Sequence, residues 1–152
     1  MPPAQVLLLH IFESYDEYRD DLFKWLDVPY PQAAEGLRLA EAKLGQQRGL
    51  LPDCGLLLSR ELLPVVSNCK QFEARVSRRV AELRIIEALR AYAAGHGGKL
   101  PAHLEDIRDL PLPANPVTGK AFGYHFEGDT AVLAADGPVE SQPREYRLKV
   151  AK

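Results

Sequence analysis

Apolar residues in the first part of the chain recur at spacings of three and four: Leu8, Ile11, Phe12, Tyr15, Tyr18, Leu22, Trp25 and Leu26. That period lines one face of a helix, and Asp16, Glu17, Arg19, Asp20, Asp21 and Lys24 fill the other. Asp27-Val28-Pro29-Tyr30-Pro31 ends this helix, because two prolines force an extended path. Pro31 suits the first turn of a second helix, whose thinner stripe is Ala33, Leu37, Ala40 and Leu44. Further on, Asp53 fits an N-cap, and Leu56, Leu57, Leu58, Leu62 and Leu63 form a short buried helix. Pro64 belongs in the first turn of the next helix, since inside a helix it would cost about 3 kcal/mol.

From about Pro64 to Ala94 the pattern is helical throughout, but its apolar stripe changes sides. Phe72, Val76, Val80 and Leu83 share one face. Ile85, Ala88, Leu89 and Tyr92 lie nearly opposite, at about 100° per residue. Such a helix is expected to bury its first half against the N-terminal helices and its second half against the C-terminal part of the chain. Gly95, Gly97 and Gly98 stop it, one of them in a left-handed cap.

Beyond Gly98 the period changes. Leu100-Pro101 opens a short helical turn over Ala102 to Ile107, Leu110-Pro111-Leu112-Pro113 is extended, and Asn115-Pro116-Val117-Thr118-Gly119 is a turn. Phe122, Tyr124 and Phe126 alternate as in a half-buried strand. Glu127-Gly128-Asp129 turns the chain into a return strand, Thr130 to Ala134. A loop over residues 136–143 precedes a third strand carrying Tyr146, Leu148 and Val150. The expected class is α+β in a single domain: two N-terminal helices, a long central helix and a small antiparallel sheet of about three strands. Residues 1–63 form a helical lead-in, and residues 64–152 a long helix with its hairpin.

Composition adds limits. With 152 residues, 46% hydrophobic and 26% charged, the chain can bury a core without metals or disulfides. Nineteen Lys and Arg against 21 Asp and Glu leave a net charge of −2, which gives no electrostatic case for nucleic acid. No apolar run approaches the roughly 18 residues of a membrane span. Val6 to Phe12 is broken by His10 and makes a poor signal peptide, so any export signal would lie outside these residues. Cys54 and Cys69 match no zinc spacing and are expected to be buried free thiols, a bond between them being the competing reading.

The order of elements from Leu83 to Gly137 carries a resemblance. A helix through Ala88-Leu89-Arg90-Ala91-Tyr92 leads to Gly97-Gly98-Lys99-Leu100-Pro101 and then Leu104-Glu105-Asp106-Ile107. Next comes Asn115-Pro116-Val117-Thr118-Gly119-Lys120-Ala121-Phe122-Gly123-Tyr124, with a hairpin ending at Asp136-Gly137. This stretch resembles the globular half of the type II secretion major pseudopilin. It is still more similar to the C-terminal domain of a family of long, uncharacterised, exported bacterial proteins. The positions that carry the match are Gly97, Gly98, Leu100, Pro101, Asn115, Pro116, Gly119, Phe122 and Tyr124. The resemblance implies a periplasmic or exported setting and a structural or interaction role. Three features depart from the pseudopilin: no membrane-spanning start precedes the match, Asn115 stands where Asp is usual, and the calcium loop is cut down to Asp136 and Glu140.

Catalytic chemistry is sparse. His10, His96, His103 and His125 lack metal-ligand spacing. His96 and His103 flank the glycine turn and read as solvated loop residues; with Asp106 they are the competing case for a hydrolase or metal site. Ser59, Ser67, Ser77 and Ser141 sit in no nucleophile elbow, and Gly95 to Lys99 lacks the ending of a phosphate loop. Arg75, Arg78, Arg79, Arg84 and Arg90 make the long helix basic, with Glu73, Glu82 and Glu87 interleaved at ion-pair spacing. The acidic group Asp16, Glu17, Asp20 and Asp21 is a candidate internal partner for those arginines. Tyr15, Tyr18, Phe23 and Trp25 are expected in a core. The expectation is therefore a non-catalytic module without cofactor or metal, and with no membrane insertion. It contacts a protein partner, or an upstream domain of its own polypeptide, through Arg75, Arg78, Arg79 and His125.

Overall fold

A computed structural model describes residues 2–46, 61, 64–135 and 144–149. Among them the order is α1 (Pro3–Phe23), α2 (Tyr30–Gln46), α3 (Pro64–Gly95), a 3-10 turn (Leu104–Asp106), β1 (Gly123–Glu127), β2 (Thr130–Ala135) and β3 (Arg144–Leu148). This is an α+β arrangement with its helices first. The cap at Asp53, the leucine helix near Leu56, Cys54, the loop over 136–143 and Val150 lie outside the described residues. Contacts divide the chain into two compact units, Met1–Glu73 and Ala74–Lys152, with the boundary inside α3.

In the first unit, Pro3 starts α1 where a missing N–H costs nothing. The Pro29 carbonyl accepts the first bonds of α2, from Gln32 and Ala33. Tyr18, Leu22, Ala33 and Leu37 form the core, with Tyr15, Trp25, Val28 and Ala40 half-buried around it. Only the C-terminal half of the α1 stripe is covered. Leu8 and Phe12 are exposed, together with Val6, Leu7, Leu9 and Phe23, contrary to the continuous buried face that the period predicts. A spacing of three and four says which residues share a face; it does not say how far a neighbouring helix reaches along it.

The acidic face of α1 finds partners within its own unit. Arg19 binds Asp16 at 2.6 Å and Asp20 at 2.8 Å, while Lys43 of α2 reaches Asp21 at 2.9 Å and Glu17 at 3.3 Å. The Lys43 and Lys24 ammonium groups hold the Asp21 carboxyl below its ordinary pKa. Lys70, at the start of α3, donates to the Leu26 carbonyl at 2.6 Å and to Glu73 at 3.0 Å. Cys69 is a free thiol and exposed, which corrects the buried position expected for it.

The second unit packs the remainder of α3 on the sheet. Strand order is β1-β2-β3, antiparallel throughout. Gly123 pairs with Ala134 and Glu127 with Thr130, so Gly128, at φ 61°, makes the turn. Ala81, Ile85, Ile86, Ala88 and Leu89 meet Ile107, Phe122, Leu133 and Ala135 in one core. Gly98 N–H donates to the Ala93 carbonyl at 2.8 Å, and Gly97 takes φ 62°. That is the Schellman closure of α3.

Gly36 has a close neighbour: a side-chain carbon there would overlap the Trp25 ring. Gly36→Ala is expected to destabilise the first unit by about 1–3 kcal/mol. Trp25 is the only tryptophan, so its fluorescence during urea unfolding checks this directly.

Candidate functional site

The face of α3 turned to the sheet is set by a phase of four and three: Arg78, Glu82, Ile85 and Leu89. Arg78 is 1% and Glu82 0% exposed, and Arg78 Nε lies 3.3 Å from Glu82 Oε1. Tyr146 of β3 donates its hydroxyl to Glu82 Oε2 at 2.7 Å. Arg78, which the sequence pattern assigns to an interaction surface, is instead inside the second unit. The ion pair continues the buried face where an apolar pair is expected, and so the Val76, Val80 and Leu83 stripe points away from the core.

Those three residues are exposed by 44%, 45% and 58%, and Phe72 is exposed as well. This corrects the burial that their shared face predicts. Across from them runs the segment Leu110 to Pro116, extended because alternating prolines fix φ and disfavour helix in the residues before them. Leu112 packs against the core while Leu110 stays exposed. The next turn holds the segment's end. Asn115, itself buried, donates its N–H to the Lys120 carbonyl at 2.8 Å and accepts Val117 N–H on Oδ1 at 2.9 Å. Gly119 N–H donates to the Asn115 carbonyl at 2.7 Å, with Gly119 at φ 71°. Pro116 and Gly119 are therefore turn residues, as their motif implies.

Two adjoining depressions lie between helix and segment. One is lined by Val76, Val80 and Arg84 against Pro113 and Pro116. The other, of about 740 Å³, is lined by Val80, Leu83, Arg84, Glu87 and Ala91 against Leu110 and Pro111. Arg75, Arg79 and Arg84 are all exposed on this stretch of helix. Glu87 is bound by Arg90 at 2.7 Å.

On the other side of the segment lies a cavity of about 540 Å³, whose walls include Ile85, Phe122, Leu112, His103, Arg108 and Tyr124. Tyr124 donates its hydroxyl to the Pro101 carbonyl at 3.0 Å, tying β1 to the Leu100-Pro101 turn. Burial pushes the Tyr124 phenol above its ordinary value of 10.0.

The residues of the hydrolase alternative each make a local contact. His96 stacks on the Tyr92 ring at 3.8 Å, with Nδ1 2.8 Å from the Tyr92 carbonyl. Asp106 accepts the His103 N–H at 2.9 Å, which caps the 3-10 turn. All three side chains are exposed. His125 is exposed on the outer sheet face, where Glu127 lies 3.6 Å from it and 3.7 Å from Arg147. No group of three metal-ligating side chains occurs among the described residues. No described helix is long and apolar enough to cross a membrane. Sequence reasoning set Arg78 and Glu82 at ion-pair spacing but missed their burial, although both stand in phase with Ile85 and Leu89.

Glu82→Ala is expected to cost about 3–5 kcal/mol, since it removes the Glu82 carboxylate from beside the buried Arg78 guanidinium and the Tyr146 hydroxyl. The double change Arg78→Met, Glu82→Leu should recover most of that loss in urea unfolding. Tyr124 holds its proton more tightly folded than unfolded, so its contribution is present below pH 10 and declines as pH rises further. In Tyr124→Phe this alkaline decline should shrink, as measured by unfolding midpoints at about pH 9 and about pH 11. No family model, characterised protein or solved structure matches the chain, and the site therefore stands on its own geometry.

Proposed function

We propose that this chain is a non-catalytic interaction module whose docking face is the outer side of α3 with the Leu110–Pro116 segment. The observation that carries this reading is the stripe Val76, Val80 and Leu83, exposed on the face opposite the core. An exposed apolar stripe beside a groove, rimmed by charge, marks a contact surface more often than a reaction site. A second support is the Asn115 turn, which fixes the groove's far wall.

The order of long helix, glycine closure, Leu-Pro turn, Asn-Pro turn and hairpin supports a pseudopilin-like module. On that resemblance the chain belongs to a larger exported bacterial protein, and its partner is another protein or an upstream domain of the same polypeptide. The cavity beside Tyr124 supports a second reading, a small-molecule site, since its volume and mostly apolar walls suit a ligand.

Site-specific photo-crosslinking tests the first reading. With benzoylphenylalanine at Val80, a discrete adduct should form in the cells that naturally make the protein, and Leu83→Asp should abolish it. The same probe at His125 should give no adduct. An adduct at His125 but not at Val80 would move the contact to the hairpin, and none at Val80 would sink the assignment.

A further inference from the structure

Resting on that docking face, we infer that its occupant is an acidic amphipathic helix. Shape comes first. From Val76 to Ala91 the groove runs along about 22 Å of α3. Its helical wall has its backbone hydrogen bonds committed within α3. Its other wall carries Pro111, Pro113 and Pro116, which have no N–H to offer. An extended peptide laid here would find few backbone partners, and buried peptide groups without partners are costly. A helix satisfies its own backbone and needs only an apolar stripe, which Val76, Val80 and Leu83 match in spacing.

Charge supplies the second half. With Val80 set at 0°, Arg84 falls about 40° to one side of the stripe and Arg79 about 100° to the other. Both are exposed, and no acidic side chain pairs with either among the described residues. Glu87, the acidic residue on this stretch of the groove, is already held by Arg90. The chain as a whole carries −2, so this is a local concentration of positive charge on an otherwise acidic protein. Glutamates flanking the leucines of an incoming helix would meet both guanidinium groups.

The test uses the whole chain and three labelled synthetic peptides of about five helical turns. One has leucines at the i, i+3, i+4, i+7 spacing with glutamates on the flanks. A twin replaces the glutamates with lysines, and another keeps the glutamates but replaces the leucines with serines. The glutamate–leucine peptide should bind at least about tenfold tighter than either twin by fluorescence anisotropy. Val80→Ser with Leu83→Ser should abolish that binding without changing the circular dichroism, since both side chains are exposed. Arg79→Glu with Arg84→Glu should reverse the preference toward the lysine twin.

Equal or better binding of the lysine twin, still lost in the serine variant, would overturn the acidic partner and leave the docking face standing. Binding by neither leucine peptide, or binding that the serine variant leaves intact, would overturn both. Sedimentation showing self-association of the unlabelled chain, broken by Leu83→Ser, would make the occupant a second copy and overturn the inference.

Discussion

The second unit depends on one buried ion pair. Arg78 and Glu82 occupy positions on α3 that face the sheet, two turns ahead of Ile85 and Leu89. Taking two charges out of water is expensive, and their attraction repays it only when geometry and further hydrogen bonds cooperate. Tyr146 supplies one such bond, from the third strand. The pair therefore fixes more than helix rotation. It ties the last strand to the helix, since a slip of β3 by one residue would turn the Tyr146 hydroxyl to the other face.

That rotation decides which face of α3 is left for other uses. Had the aliphatic stripe of Val76, Val80 and Leu83 been drawn into the core, Arg78 would have faced solvent and the groove would be gone. Instead Arg78 and Glu82 turn inward while Val76, Val80 and Leu83 turn outward, the reverse of the usual order. An inversion of that kind costs stability on both faces, and such costs concentrate where a surface is used.

Much of the fold was legible in the sequence. The helix ends at Pro31, Pro64 and Gly97 arise from backbone chemistry that no tertiary contact overrides. The alternation of Tyr124 with its neighbours and the Glu127-Gly128-Asp129 turn located the hairpin for the same reason. The candidate site was harder to see. Periodicity identified Val76, Val80 and Leu83 as one stripe and Ile85 with Leu89 as another, but it cannot rank two stripes for burial. Hydrophobicity favoured burying both, and that put Arg78 on the surface. The Leu110–Pro116 wall was readable as extended, yet its place beside Val80 depends on contacts across the unit, which local pattern does not encode. The uncovered start of α1 is not encoded in its pattern for the related reason that a period reports a face without its partner.

The order β1-β2-β3 has a consequence for solubility. Among the described residues it leaves β1 and β3 as outer strands, and an outer strand offers free backbone groups on which a foreign strand can grow. Here those strands carry His125 and Glu127 on one side and Glu145 and Arg147 on the other. Alternating charge along both margins discourages strand-by-strand accretion, and with it the route toward fibrous aggregates. A sheet guarded in this way serves as a backing plate for the helix, with both open margins unwelcoming to a further strand.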